Sequence, residues 1–172
     1  HPAPGERSYH RREKLTLYRV STDEYRLEST TARQTRVFMR ERGNLAPLRV
    51  LEDNFGNRVS YQYEEGVLTR VVDTAGRVVR LEWSGRRLSA VHVEGGPHTR
   101  FSYDARGFLA TVTNALSARE HYEYDALGRM SAVTTKAGVR FIYEYDDRNR
   151  CVLTTGPNNL FYTALRYDDK EQ

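Results

Sequence analysis

The aromatic-x-aromatic pairs of this chain recur at a nearly fixed period. They are Tyr61/Tyr63, Leu81/Trp83, Phe101/Tyr103, Tyr122/Tyr124, Tyr143/Tyr145 and Leu165/Tyr167, with second members 20, 20, 21, 21 and 22 residues apart. A period this regular, and this short, restricts the fold sharply. A unit of that length is one supersecondary element that cannot bury its own apolar face and must be stacked against its neighbours. Val37/Met39, followed by RERGNL, reads as a weaker earlier copy, so the array is expected over residues 35–172, about six units with the last one truncated. Residues 1–34 fall outside the clear period and read as a lead-in, partly strand.

Within a unit the periodicity is that of β-structure. In VRFIYEY, residues 139–145, Val139, Phe141, Tyr143 and Tyr145 alternate with Arg140, Ile142 and Glu144, and the stretch is rich in β-branched and aromatic residues. The YDARG of residues 103–107 then supplies a turn. Asp104 can start it by accepting backbone N–H groups, and Gly107 can take the positive φ that ends it. Asp125 with Gly128 repeats those roles, and Asp146 with Asn149 follows in degraded form. A second strand comes next (FLATV, RMSAV, RRLSAV, VLTRVV), and a second turn (DTAG, EGGP, NALS, TKAG, TGPNN) returns the chain to the next aromatic strand. The expected fold is therefore all-β, a tandem array of antiparallel hairpins pairing side by side, since an isolated hairpin is marginal in water. One spacing resists simple alternation. Leu109 and Val112, Met130 and Val133, and Leu88 and Val91 are each three apart, which requires either a bulge or partial covering of both faces.

These phrases, FSYDARGFLATVT and YEYDALGRMSAVT above all, resemble the tyrosine-aspartate (YD) repeats of the Rhs family, shared more distantly with the C-component of insecticidal toxin complexes and with teneurins. The pattern aromatic-x-Tyr-Asp-x-x-Gly-Arg-Leu-x-x-Val is met almost letter for letter from Tyr122 to Val133 and closely from Phe101 to Val112, where Phe108 replaces the usual arginine. Tyr143 to Cys151 follows loosely, and the Tyr61 and Trp83 units have Glu64 and Ser84 in place of aspartate. The resemblance implies a curved ribbon forming part of a hollow β-shell that encloses and protects a C-terminal toxin until delivery. Its implied partners are neighbouring repeats, the enclosed toxin domain, a secretion-apparatus spike and a chaperone. The implied setting is a bacterial protein made in the cytoplasm and secreted or delivered, as in type VI secretion and contact-dependent competition. The family's DPxGL-type autocleavage sequence and a toxin domain do not occur in this stretch, so no catalytic residue is expected in it.

Composition weighs against most chemistries. One cysteine, Cys151, gives neither a disulfide framework nor a multi-cysteine zinc site. The histidines, His1, His10, His92, His98 and His121, lack metal-ligand spacing. No phosphate-cradling glycine loop is present, so neither metal nor cofactor is expected. The net charge of +4 comes from arginines interleaved with acids, unlike the clustered stripe of a nucleic-acid binder. No apolar run is long enough for a membrane helix, and no signal-peptide pattern occurs. Recurrence itself speaks against an acid–base role for Asp104, Asp125, Asp146 and Asp168, because one carboxylate per unit at a turn start has a backbone-satisfying role. The alternative reading is an aromatic-repeat module for carbohydrate or cell-surface binding. Against it stand a single tryptophan, Trp83, and tyrosines placed on alternating strands, where a cross-strand ladder is the simpler account.

Overall fold

A computed structural model describes residues 2–41, 43 and 45–168. Among these residues the fold is all-β, with sixteen strands whose order is that of the chain. The chain divides into two compact units, His1–Glu82 with His92–Gly96 and Trp83–Val91 with Pro97–Gln172.

The first unit contains β1 (Arg7–His10), β2 (Leu15–Arg19), β3 (Glu24–Ser29), β4 (Gln34–Met39), β5 (Leu48–Asp53), β6 (Arg58–Glu64), β7 (Val67–Val72) and most of β8 (Val78–Ser84). Consecutive strands pair antiparallel throughout it. The second contains most of β9 (Arg87–Val93), then β10 (His98–Tyr103), β11 (Leu109–Thr113), β12 (Arg119–Tyr124), β13 (Met130–Thr134), β14 (Arg140–Tyr145), β15 (Cys151–Thr155) and the short β16 (Thr163–Ala164). From β10 onward these also pair antiparallel in succession.

Register accounts for the spacing that alternation left open. Phe101 faces Val112 and Ser102 faces Thr111, but Tyr103 faces Leu109, so Ala110 is an extra residue on β11. The same bulge recurs one hairpin later, where Tyr122 faces Val133 and Tyr124 faces Met130 with Ser131 skipped. It recurs again where Tyr145 faces Cys151 with Val152 skipped, and in the first unit where Tyr63 faces Leu68 with Thr69 skipped. A bulge restores parity. Leu109 and Val112, three apart in sequence, thus reach the same face as Phe101 and Tyr103. In β4 it is Phe38, facing Leu48 across a bulge, that holds the place of Tyr63. The earliest aromatic position is therefore one residue away from the Val37/Met39 pair, because a period-two pattern aligned by eye can be taken on the wrong parity.

The second unit is two-faced as a result. Phe101, Tyr103, Leu109, Val112, Tyr122, Tyr124, Met130, Val133, Phe141, Tyr143, Tyr145 and Cys151 fall on one side. Ser102, Thr111, His121, Glu123, Thr134 and Arg140 fall on the other. Among the described residues only four apolar side chains are buried, Val50, Val78, Ala90 and Ala132, and no large side chain is fully enclosed. Stability therefore rests on strand pairing and on contacts between neighbouring hairpins rather than on a closed core. Among the described residues no helix is long and apolar enough to cross a membrane.

Candidate functional site

The features that recur from repeat to repeat are a turn, a ring and a side chain joining one to the next. The fullest turn begins at Asp125. Its Oδ1 accepts the backbone N–H groups of Leu127 and Arg129, both at 2.9 Å, while its Oδ2 accepts from Arg129 Nε at 2.7 Å. The backbone closes the same loop, Gly128 N–H donating to the Asp125 carbonyl at 3.1 Å and Asp125 N–H to that of Arg129 at 2.9 Å. Asp146 repeats the arrangement with Arg148, Arg150 and the Arg150 guanidinium, and Asn149 takes the left-handed conformation at φ 61°. At Asp104 the N–H of Phe108 binds Oδ1 at 2.8 Å, and Arg106 stands 3.6 Å from Oδ2.

These carboxyls are held below the ordinary carboxylate range. For Asp146 the leading cause is the Arg150 backbone N–H, and the Arg150 side chain adds to it. For Asp125 and Asp104, partial desolvation pushes upward but is outweighed by the backbone N–H of Arg129 or Phe108 and by the nearby guanidinium.

The opposite ends of the strands carry the same device. Asp53 accepts from the N–H groups of Phe55 and Asn57, Asp73 from Arg77, Asn114 from Leu116 and Ala118, and Thr135 from Val139. Asp53 is depressed chiefly by the Asn57 side chain and Asp73 by the Arg77 backbone N–H. From the sequence, DTAG, NALS and TKAG are expected as turns and DNFG at 53–56 is not, and none of Asp53, Asp73, Asn114 and Thr135 is marked as a counterpart of Asp104. The signal was available as D-x-x-G at 53–56 and 73–76, and as the offset of about half a period.

The rings carry the second recurrence. Tyr103 donates its hydroxyl to the Leu88 carbonyl at 2.9 Å, Tyr145 to Met130 at 2.8 Å and Tyr167 to Cys151 at 2.7 Å. Over each of those rings lies a residue at the start of the returning strand of the preceding repeat, the first of β9 or the one just before β13 and β15. Arg87 sits 5.6 Å above Tyr103, Arg129 4.9 Å above Tyr145 and Arg150 4.7 Å above Tyr167. In the repeat where phenylalanine replaces that arginine, the Phe108 and Tyr124 rings stack at 4.9 Å. Arg106 covers the outer face of Phe108 at 5.0 Å and reaches the Asp125 carbonyl at 2.7 Å. Arg129 likewise crosses to the Asp146 carbonyl at 3.3 Å and to Asn149 Oδ1 at 3.0 Å.

These overlying side chains also press on the turn glycines. A Cβ on Gly128 would come 2.7 Å from Phe108 Cζ, and one on Gly107 would collide with the Arg87 guanidinium. In the first unit, guanidinium-on-ring contacts come from other positions, Arg49 over Tyr63 and Arg19 and Arg40 about Tyr25.

The remaining positions sort by element. Tyr61 and Tyr63 lie on β6 facing Val71 and Leu68, Trp83 on β8 and Tyr143 on β14 facing Thr154. Tyr167 lies beyond β16 and keeps its ring contacts outside a strand. Phe101, Tyr103, Tyr122, Tyr124, Tyr143 and Tyr145 are half-buried. Burial and, for Tyr122, the hydrogen bond to Glu120 push the phenols of Tyr122 and Tyr145 upward. Among the described residues no group of three His, Cys, Asp or Glu is placed to hold a metal ion. His121 Nδ1 lies 3.3 Å from Thr111 Oγ1, and His92 Nε2 2.9 Å from Glu82. The arrangement joins and orients. It gathers no nucleophile, base and oxyanion donors around one point.

A family model agrees with that repeat reading. A family model described as RHS Repeat matches residues 103–140 and, overlapping them, 124–160. No curated protein matches the chain. Among solved structures, one described as "Crystal Structure of TcdB2-TccC3-TEV" is similar with a TM-score of 0.47 at 12% identity, over 83% of this chain and 11% of that one. The chain thus spans about a tenth of the length of that solved chain.

Proposed function

We propose, from the match of residues 103–160 to the RHS Repeat model, that the chain is a non-enzymatic wall segment of a β-shell, which encloses a C-terminal toxin domain and keeps it from proteases and cytoplasm until delivery. The observation that carries this reading is the junction between repeats. Each repeat of the second unit lays a side chain across the ring of the next, so that neighbours bind neighbours in one direction and the array extends without a closed core. A wall needs that property; a binding pocket does not.

In this reading residues 35–172 form the array and residues 1–34 lead into it. The aromatic residues Tyr61, Tyr63, Trp83, Phe101, Tyr103, Tyr122, Tyr124, Tyr143, Tyr145 and Tyr167 are struts. Asp104, Asp125 and Asp146 with Gly107 and Gly128 are the turn formers. Neighbouring repeats, the enclosed domain, a spike and a chaperone are the partners, and the protein is delivered out of a bacterial cell.

Protease sensitivity of the cargo in the full-length protein tests it. With the wall intact, the C-terminal domain resists digestion under native conditions; Tyr124→Ala with Tyr145→Ala exposes it. A cargo equally accessible in both overturns the proposal. The rival, a sugar-binding aromatic module, requires glycan or cell-wall binding that the same two substitutions abolish. Hydroxyls turned to backbone carbonyls, as at Tyr103 and Tyr145, disfavour it.

A further inference from the structure

The joints between hairpins in the second unit are of two chemical kinds. Hairpin β12–β13 is joined to β14–β15 by Arg129, which is anchored at 2.7 Å to Asp125 Oδ2 while it covers Tyr145. Arg150, anchored at 2.7 Å to Asp146 Oδ2, joins β14–β15 to the segment carrying Tyr167 in the same way. Hairpin β10–β11 is joined to β12–β13 by the Phe108 ring on Tyr124, with an interplanar angle of 25°, and by Arg106, which lies over Phe108, donates to the Asp125 and Tyr124 carbonyls and stands 3.6 Å from Asp104 Oδ2, outside hydrogen-bond distance.

We propose that this difference makes the sheet acid-labile at selected joints. On acidification the second unit opens first between β13 and β14 and at Tyr167, while β10 to β13 stay together as a block. The inference concerns the sheet itself and holds whatever the sheet encloses.

The groups facing each carboxylate set the balance. Around Asp125 they are Arg129 on its own turn, Arg106 from the preceding turn on its carbonyl oxygen, and the Tyr145 phenol of the next hairpin. Around Asp146 they are Arg150 and the Arg148 N–H on its own turn, and Arg129 from the preceding one on its carbonyl. Protonating either aspartate removes the ionic partner and weakens the bond that anchors the guanidinium over the next ring, leaving Arg129 its bonds to the Asp146 carbonyl and Asn149 Oδ1. The stacking of Phe108 on Tyr124 does not depend on the charge of Asp104, and Arg106 is held at that joint by the Asp125 and Tyr124 carbonyls rather than by a hydrogen bond to Asp104.

Hydrogen exchange, corrected for intrinsic rates and compared at about pH 6.5 and about pH 2, reads the effect. Amides of the β13–β14 pair lose about ten-fold more protection in acid than those of the β11–β12 pair. Arg129→Phe abolishes the difference, and Phe108→Arg extends the acid loss to β11–β12. Equal loss at both boundaries, no loss at either, or a difference unchanged in Arg129→Phe overturns the proposal. Should either variant fail to fold, Asp125→Asn at neutral pH serves in its place. It reproduces the loss at β13–β14, and full protection there overturns the proposal equally.

Discussion

Gly128 carries two constraints at once, and they can be separated. Its φ is +80°, a region that costs an L-residue roughly 1–2 kcal/mol, and the Phe108 ring occupies the space a side chain would need. Gly138 has nearly the same φ, +79°, with open space around it. Gly138→Ala is therefore expected to lower stability by about 1 kcal/mol, and Gly128→Ala by about 1 kcal/mol more, because a ring stacked on Tyr124 must shift. Chemical denaturation of the two variants checks this, and equal losses would remove Phe108 from the argument. The turn aspartates have the opposite exposure to solution conditions. Their folded pKa values lie below the unfolded value of about 3.9, so the folded state binds fewer protons than the unfolded one as pH falls toward that range. Their contribution is complete above about pH 5 and is lost as pH drops below about 4 and through the folded values. Stability measured against pH should be flat near neutrality and fall in acid, with a shallower fall in Asp125→Asn/Asp146→Asn; a rise in acid would contradict the assignment. At this scale much was legible. Asp-x-x-Gly announces its turn because the bonds it makes reach only four residues along the chain. The role of Arg129 was not, because its ring partner lies sixteen residues further on and only the register brings them together.

Between strands, the bulge decides which face a residue meets. Ala110, Ser131 and Val152 each stand unpaired on the returning strand, one residue past the position that faces Tyr103, Tyr124 or Tyr145. Deleting Ser131 leaves Met130 and Val133 two apart, so that plain alternation keeps both on the aromatic face in the same register without a bulge. The expected result is a folded variant that retains the close approach of Met130 to Tyr124 and of Val133 to Tyr122 in nuclear Overhauser spectra. Loss of either approach would contradict the assignment of Ser131 as the extra residue. The spacing of three between Met130 and Val133 was visible in the letters. What was not visible was which of two remedies the chain uses, because a bulge and a two-sided covering leave the same apolar pattern. The offset of one residue at β4 has the same origin: Val37, Phe38 and Met39 are all apolar, and only pairing with Leu48 selects Phe38.

At the scale of the whole molecule, the four apolar residues buried among the described ones, two of them alanines, cannot by themselves offset the entropy of ordering a chain of this length. The all-β repeat organisation was legible because a period near twenty-one residues survives substitution of individual letters. The coupling between repeats was not, since the joining residue changes from arginine to phenylalanine and back. That coupling is the central claim, and a double-mutant cycle on Arg129 and Tyr145 measures it. With Arg129→Ala, Tyr145→Leu and the double variant compared by denaturation, a coupling of about 0.5–1 kcal/mol or more is predicted for a partly buried guanidinium on a ring. Losses that add to within about 0.3 kcal/mol would mean that the two residues do not join their repeats, and would contradict the account.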